Sequence, residues 1–205
     1  MIEIPIWLLV AMGLVIAVLG LMLWTNLKER DFKVKVPDID NFEEALPSIA
    51  GMTRAIVLDG NSAELFFNGD GFFPRLLKGI AEAKETIHYE TYVWWKGDIC
   101  RQVAEAFSAR AREGIEVRLM LDAAGSFQMD KKLLEKMKEA GVKVARYHPI
   151  RILDLGQLNK RTHRKLAIFD GRTAIVCGHG MARQWTGNGQ DQKHWRDTGI
   201  RLRGP

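Results

Sequence analysis

The chain has 205 residues, of which 47% are hydrophobic and 27% charged, and this composition excludes a disordered chain, a collagen and a coiled coil. Thirty Lys and Arg residues against 25 Asp and Glu residues give a net charge of +5, which favours anionic partners such as phosphate groups, nucleic acid or an acidic membrane. The cysteines, Cys100 and Cys177, lie far apart without CxxC spacing, so the sequence supports neither a disulfide framework nor a cysteine zinc site. A reducing compartment fits this cysteine usage.

The first segment, residues 1–25, is predicted to be a transmembrane anchor. The residues from Ile6 to Trp24 include no charged side chain, and as a helix they would span about 30 Å, the thickness of the hydrocarbon layer. Trp7 and Trp24 stand at the two ends, where indole side chains favour the headgroup level. Basic residues follow the apolar run and none precedes it: Lys28, Arg30, Lys33 and Lys35. We therefore expect a single-pass protein of the cell (inner) membrane whose main lobe is cytoplasmic.

Two other interpretations of this apolar run are open. A cleaved signal peptide needs basic residues before the run and small residues at the cleavage site, and neither 1–5 nor 24–26 supplies them. A buried core helix would need a domain large enough to cover a helix that is apolar all round. The permanent anchor is the preferred interpretation.

A linker is predicted over residues 26–54, followed by one α/β lobe over residues 55–205. The linker is rich in proline and acidic residues and has at most one short helix. In the lobe, helices opened by Asp70, Asp98 and Asp130 alternate with segments of strand character. Those segments are 63–67, 86–93, 115–121 and 142–146. This alternation predicts a mixed, largely parallel sheet with helices on both faces.

A β-hairpin is predicted next, because Asp170-Gly171 separates the apolar runs 165–169 and 173–177. If the first strand begins at His163, the spacing of His163 and Lys165 puts both side chains on one face. Phosphoryl transfer uses such a pair, because a neutral imidazole can attack phosphorus while a fixed cation stabilises the oxygens. The alternative is an ordinary edge-strand histidine beside a solvated lysine.

The segment from His163 to Asp170 has the form HxKxxxxD, and it is one of a series of short motifs. The others are Asn68-Gly69-Asp70, Glu90-Thr91-Tyr92, Leu121-Asp122, Arg146-Tyr147-His148-Pro149, Gly178-His179-Gly180, Trp185-Thr186-Gly187 and Trp195-Arg196-Asp197-Thr198-Gly199. Together they resemble the phospholipase D superfamily, in particular its membrane-anchored, cardiolipin-synthase-like branch. The resemblance covers about residues 60–205.

The resemblance implies four catalytic residues. His163 would act as the nucleophile that forms a phosphohistidine, or as the acid and base, and Lys165 would hold the phosphate. Asp170 matches the motif aspartate, which usually holds the local loop. Asp197 matches the acidic residue that orients a catalytic imidazole. Its alternative role is that of a strand-end charge near Arg196.

The resemblance also implies phosphate contacts after the hairpin. Gly178 fits a small-residue position, and Gly180 stands where many members have a phosphate-binding asparagine, so only backbone amides are left there. Arg183 and Gln184 replace an acidic pair that the branch would have. We expect neither a metal nor another cofactor, because no paired carboxylates or His/Cys cluster with metal-ligand spacing is visible.

The function that the resemblance implies is that of a phosphatidyl transferase or phospholipid phosphodiesterase acting on an anionic phospholipid, preferably in cardiolipin synthesis. The family places two motifs face to face, whereas this sequence contains one. We therefore expect an amino-terminal half that works with a carboxyl-terminal second lobe, in the same chain or separate, with a homodimer as the lesser option. The alternatives are a nuclease of the same superfamily, although nucleic acid is not the expected partner, and a non-catalytic membrane-bound interaction lobe.

Overall fold

The computed structural model describes residues 5–27, 41–149 and 160–205. The chain divides into two units, residues 1–57 and 58–205. The first unit contains helices α1 (Ile6–Leu27) and α2 (Phe42–Thr53). Residues 28–40 of the predicted linker, with its basic flank, lie outside the described residues.

Helix α1 carries the apolar run of the sequence. Its residues Ile6–Trp24 are long and apolar enough to cross a membrane by length and composition, and their side chains are exposed. A helix of this kind has no polar face to present to water, which makes a lipid environment the favourable one.

The described residues of the second unit form a seven-stranded sheet with three α-helices and a short 3-10 helix (Arg183–Trp185). The helices are α3 (Asn68–Glu82), α4 (Asp98–Arg112) and α5 (Lys131–Glu139). The strands are β1 (Ser62–Phe67), β2 (Thr86–Thr91), β3 (Glu116–Asp122), β4 (Lys143–Tyr147), β5 (Lys165–Phe169), β6 (Thr173–Cys177) and β7 (Thr198–Arg203). The strand order across the sheet is β1-β7-β6-β5-β2-β3-β4.

The α/β class and the mixed sheet are confirmed, but the strand directions differ from the prediction of a largely parallel sheet. Among the described residues β2, β3 and β4 pair in parallel, whereas β5 pairs antiparallel with both β2 and β6, and β7 pairs antiparallel with both β6 and β1. Helices α4 and α5 provide the long crossovers that parallel neighbours need. The tight turn between β5 and β6 allows only an antiparallel pair.

The core lies on one face of the sheet. The strand side chains in it alternate along each strand, as in Ile87 and Tyr89 of β2 or Val117, Leu119 and Leu121 of β3, and they are at most 3% exposed. Helices α3, α4 and α5 pack side by side over this face.

The opposite face has no helix over it in the part of the chain that the structure describes, which corrects the expectation of helices on both faces. Leu65, Phe67 and Val176 lie there and are 62%, 60% and 42% exposed. The helices meet on one side because each packs on the next, so all three share the same face of the sheet.

Local signals in the sequence set the ends of these elements. The Asp130 side chain accepts the backbone N–H of Lys132 at 2.9 Å and caps α5. Asp170 and Gly171 both have positive φ, 52° and 66°, which is the backbone shape of a tight hairpin turn. These two positions fix where β5 ends, and therefore where Lys165, its first residue, lies.

Candidate functional site

His163 and Lys165 meet at the start of β5. The strand begins at Lys165, two positions later than the same-face argument requires, but the two side chains still come together. The Lys165 Nζ lies 3.1 Å from His163 Nδ1 and donates to the His163 backbone oxygen at 3.0 Å. His163 is exposed, whereas Lys165 is only 6% exposed. The imidazole is therefore open to a substrate and the ammonium lies just behind it.

Tyr92, directly after β2, lies against both groups. Its ring centroid is 4.7 Å from that of His163 and 5.6 Å from the Lys165 Nζ. The face of an aromatic ring attracts a cation and limits the directions that the imidazole can take. Sequence analysis assigned no role to Tyr92, although it belongs to one of the quoted motifs.

The environment shifts the pKa values of both groups. Burial, and then the positive charge of Lys165, lower the pKa of His163, while Asp122 opposes the shift. Burial also lowers the pKa of Lys165, opposed by the charges of Asp197 and Cys177. Because the ordinary pKa of histidine is about 6.5, the lowered value makes His163 neutral at neutral pH, with an unshared electron pair on the ring.

Two carboxylates hold the segment that leads into His163. Asp122 is fully buried and accepts the backbone N–H groups of Thr162 at 3.1 Å, Ala124 at 2.9 Å and Gly125 at 3.0 Å. Glu90 accepts a hydrogen bond from the Thr162 hydroxyl. These contacts position His163 from behind, and sequence analysis missed that role. The available signal was that Glu90 and Asp122 occupy the carboxyl ends of neighbouring parallel strands.

Asp170 lies at the other end of β5 and holds a loop. Its carboxylate accepts the backbone N–H groups of Lys84, Glu85 and Thr86 at 2.8–2.9 Å. Burial alone would raise the pKa of this carboxyl, but these three donors and the Lys84 charge outweigh burial and lower the pKa. Asp170 is thus remote from the reacting groups, in agreement with the loop-holding role that the resemblance implies.

Asp197 lies near Lys165 but makes no hydrogen bond with His163 among the described residues. Its carboxylate accepts the indole N–H of Trp185 at 3.1 Å and the backbone N–H of Thr198 at 2.8 Å. A Cβ at Gly178 would lie 2.2 Å from Asp197 Oδ1, so only glycine leaves room for this carboxylate. An imidazole-orienting role for Asp197 remains a prediction.

Trp185 occupies the space beside Gly180. A Cβ at this buried glycine would lie 2.7 Å from the indole ring, so an asparagine side chain has no room there unless the ring moves. Trp195 packs edge-on against Trp185 with ring centroids 4.6 Å apart. The position of the expected phosphate-binding asparagine is therefore taken over by an aromatic side chain that holds Asp197.

Asn68 brings the first motif of the lobe to the same place. Its backbone N–H donates to the Asp197 carbonyl at 2.8 Å, and its side-chain oxygen accepts the Asp197 N–H at 3.1 Å. Its amide nitrogen donates to the Asn188 side chain at 2.7 Å. Segments about 130 positions apart in sequence are thereby joined around Asp197.

The arrangement supplies a neutral, exposed imidazole with a buried cation beside it, which suits attack on a phosphorus atom and binding of its oxygens. The described residues contain no group of three His, Cys, Asp or Glu side chains placed to hold a metal ion.

The sequence also matches known proteins. Residues 76–191 match the family model described as "Cardiolipin synthase, PLD-like domain". The chain is 34% identical over 152 residues to the Major cardiolipin synthase ClsA of Bacillus subtilis, which covers 74% of this chain and 32% of that protein. It is 30% identical over 178 residues to a cardiolipin synthase of Oceanobacillus iheyensis, covering 87% of this chain and 37% of the relative. The chain thus spans about a third of the length of these curated relatives.

Two solved structures share the fold of the lobe. Nuc from Salmonella typhimurium, a phospholipase D family member, has a TM-score of 0.53 at 14% identity, over 70% of this chain and 84% of Nuc. NucT from Helicobacter pylori has a TM-score of 0.53 at 15% identity, over 70% of this chain and 86% of NucT. With the match of the family model over more than half of the chain, this chain belongs to the family of phospholipase-D-like domains of cardiolipin synthases.

Proposed function

We propose that this chain is one catalytic lobe of a membrane-anchored phosphatidyltransferase of the cardiolipin synthase type. The observation that carries the proposal is the contact between an exposed, neutral His163 and a buried Lys165 ammonium. The identity of about a third to cardiolipin synthases supports the choice of a phospholipid substrate.

The proposed reaction has two steps. A ring nitrogen of His163 attacks the phosphorus of a phosphatidyl donor, forming a P–N bond while the bond from phosphorus to the headgroup oxygen breaks and that oxygen takes up a proton. An acceptor alcohol then gives up its proton and attacks the phosphorus, and the P–N bond breaks. Lys165 holds the non-bridging oxygens through both steps.

The proton for the leaving alcohol is proposed to come from a second lobe. Lys165 must keep its charge to bind the oxygens, and both oxygens of the Asp197 carboxylate already accept hydrogen bonds, from Trp185 and Thr198. No second imidazole contacts His163 in the described part of the chain. Asp197 would then orient the imidazole of that second lobe, since its own contacts do not include His163.

The membrane anchor places this site beside its substrate. Helix α1 is proposed to span the inner membrane once, with the lobe in the cytoplasm, where the net charge of +5 favours an anionic lipid surface. A tethered lobe meets phosphodiesters of lipids at a high local concentration, whatever its own affinity for the bilayer.

The test is reconstitution of the full chain in phosphatidylglycerol vesicles, with and without the carboxyl-terminal half of a cardiolipin synthase relative. We expect cardiolipin and glycerol to form only when both are present, and His163→Ala to lower the rate at least about a thousandfold. Lys136→Ala is the control, because it removes an exposed cation from α5 that makes none of the contacts of His163 or Lys165.

Three results would contradict the proposal. They are turnover by the chain as a demonstrated monomer, an unchanged rate in His163→Ala, and cleavage of DNA but not of lipid in a parallel assay. The last result would assign the chain to nuclease chemistry on the same fold.

A further inference from the structure

A second cavity lies at the opposite end of β5 from Lys165. It has a volume of about 510 Å³ and is bounded by the last half of α3, the turn after β5, and the ends of β6 and β7. Phe169, the last residue of β5, lines it, and four strand steps of about 3.3 Å put it about 13 Å from Lys165. The cavity is therefore separate from the candidate catalytic site.

The walls of this cavity are strongly basic. Six cationic side chains from α3, the loop after it, the hairpin turn and β7 line it: Arg75, Lys78, Lys84, Arg172, Arg201 and Arg203. Three carboxylates accompany them, those of Glu82, Glu85 and Asp170, and with Glu64, which binds Arg75 and Arg201 from outside the cavity, an excess of two positive charges is left. Like charges that converge on one space repel one another unless an anion lies between them.

The carboxylates near this cavity already have partners within the protein. Glu64, outside the cavity, binds Arg75 at 2.6 Å and also binds Arg201. Asp170 is occupied by three backbone N–H groups, and Lys78 lies 3.7 Å from Glu82.

Two of the guanidinium groups have no such partner. Arg172 and Arg203 form no ion pair among the described residues, and both are exposed. They are therefore available to a ligand.

The strand register turns two of these cations toward the helix-covered face. Arg201 pairs with Ile175, and Arg203 pairs with Thr173, which pairs in turn with Phe169. Paired residues share a face, so Arg201 and Arg203 lie on the side where the rest of the sheet carries its apolar core. Arg201 has its counter-charge in Glu64, whereas Arg203 has none among the described residues and is open to a ligand.

The floor of the cavity is apolar and closely packed. Phe169, Ile175 and Ala83 form it together with Gly79, where a Cβ would lie 2.5 Å from the Phe169 ring. The cavity volume lies within the range of about 300 to 1,000 Å³ that ligand sites occupy, but its lining is mainly charged, which favours an anion over an apolar ligand.

We propose that this cavity binds a diphosphate group. A terminal diphosphate carries about three negative charges near neutral pH, enough to neutralise this excess, and the oxygens on its two phosphorus centres provide acceptors for cations on both β7 and the hairpin turn. The same diphosphate group occurs in soluble diphosphates such as pyrophosphate and in lipids that end in a diphosphate. The inference does not depend on the proposed transferase activity.

The test is equilibrium binding of pyrophosphate to the full chain in detergent micelles. Arg172→Gln combined with Arg203→Gln should weaken binding at least about tenfold, which is about 1.4 kcal/mol, because charge-assisted hydrogen bonds to the ligand are lost. Lys131→Gln combined with Lys132→Gln removes the same charge from α5, outside the cavity, and should leave the affinity unchanged. The thermal unfolding midpoints of both double variants verify that they fold.

A third variant separates this cavity from the catalytic site. Lys165→Ala should retain pyrophosphate binding, so that loss of catalysis and loss of this site are distinguishable. Vesicles of phosphatidylcholine with added farnesyl diphosphate, a lipid that ends in a diphosphate, will compete for the site if the natural source is a lipid headgroup, and will not compete if it is a soluble diphosphate. Equal affinity in wild type and in the Arg172/Arg203 variant, or binding that disappears in Lys165→Ala, would overturn the proposal.

Discussion

The two ends of strand β5 hold their polar groups in opposite ways. At the first end, His163 is exposed and neutral, and its ring keeps an unshared electron pair beside Lys165. After the last residue of the strand, the Asp170 carboxylate accepts hydrogen bonds from three backbone N–H groups. A group that must react is left partly unsatisfied, whereas a group that fixes the backbone is saturated. The five-residue strand β5 thus lies between a group that is free to react, His163, and a group that holds the backbone, Asp170.

The largest effect on stability is expected from Asp170→Ala. This change leaves the N–H groups of Lys84, Glu85 and Thr86 without their acceptor, and we expect a loss of about 3 kcal/mol in the free energy of unfolding. Denaturant unfolding of the full chain in detergent, followed by tryptophan fluorescence, measures it. Asp170→Asn keeps one acceptor oxygen and should lose less. A loss below that of an exposed carboxylate, such as Asp98→Ala, would contradict the supporting role.

The same carboxylate predicts a pH dependence. Its pKa is lowered in the folded chain, so its contribution to stability is fully present above the ordinary aspartate pKa and is lost as the pH falls through the folded value. The stability difference between wild type and Asp170→Asn should therefore be constant near neutral pH and shrink in acid. A stability difference that grows on acidification would mean that folding raises the pKa of Asp170 instead of lowering it.

An intermediate effect is expected from Gly79→Ala. The new methyl group would lie 2.5 Å from the Phe169 ring, and overpacking of this kind costs about 1–3 kcal/mol. Gly71→Ala, in the same helix, is the control, because its nearest neighbour is the Phe66 Cβ at 3.3 Å. Unfolding midpoints that fall equally in both variants would show that helix α3 does not press on the end of β5.

The smallest effect is expected at the reactive end. Lys165→Met removes the positive charge beside His163, so the pKa of His163 should rise toward its ordinary value, although burial continues to lower it. NMR titration of the His163 ring protons measures the shift, and Arg164→Met is the control, because the charges that shift this pKa are those of Lys165 and Asp122. An unchanged or lower pKa would mean that the contact with Lys165 does not act on the imidazole.

The features that could be predicted from the sequence depend on residues close together in the chain. The Asp170-Gly171 turn and the Asp130 cap each depend on a few neighbouring residues, and both occur as predicted. The meeting of His163 and Lys165 also follows from their spacing, although the strand starts at the second of them. The predicted α/β class depends on the alternation of apolar patterns along the chain, which is another local property.

The rest depends on contacts between distant segments. Nothing in the sequence around Asp122 shows that its carboxylate accepts the N–H of Thr162, 40 positions later. The side chain that fills the space at Gly180 belongs to Trp185. The two residues meet because the chain turns back between them, which the sequence pattern does not show. Strand directions were misjudged for the same reason, because pairing partners of β5 and β7 are set by the whole sheet.

Because β5 pairs with β2, the spacing within the HxKxxxxD motif determines where Lys165 lies. Lys165 pairs with Thr91 and Phe169 pairs with Ile87, so the turn at Asp170 fixes which residue arrives beside Tyr92. One residue inserted between Lys165 and Asp170 would rotate the ammonium to the open face of the sheet. Two inserted residues would restore its face but carry it about 7 Å past the aromatic ring. The four residues between Lys165 and Asp170 therefore set the distance from the rigid turn to the ammonium group.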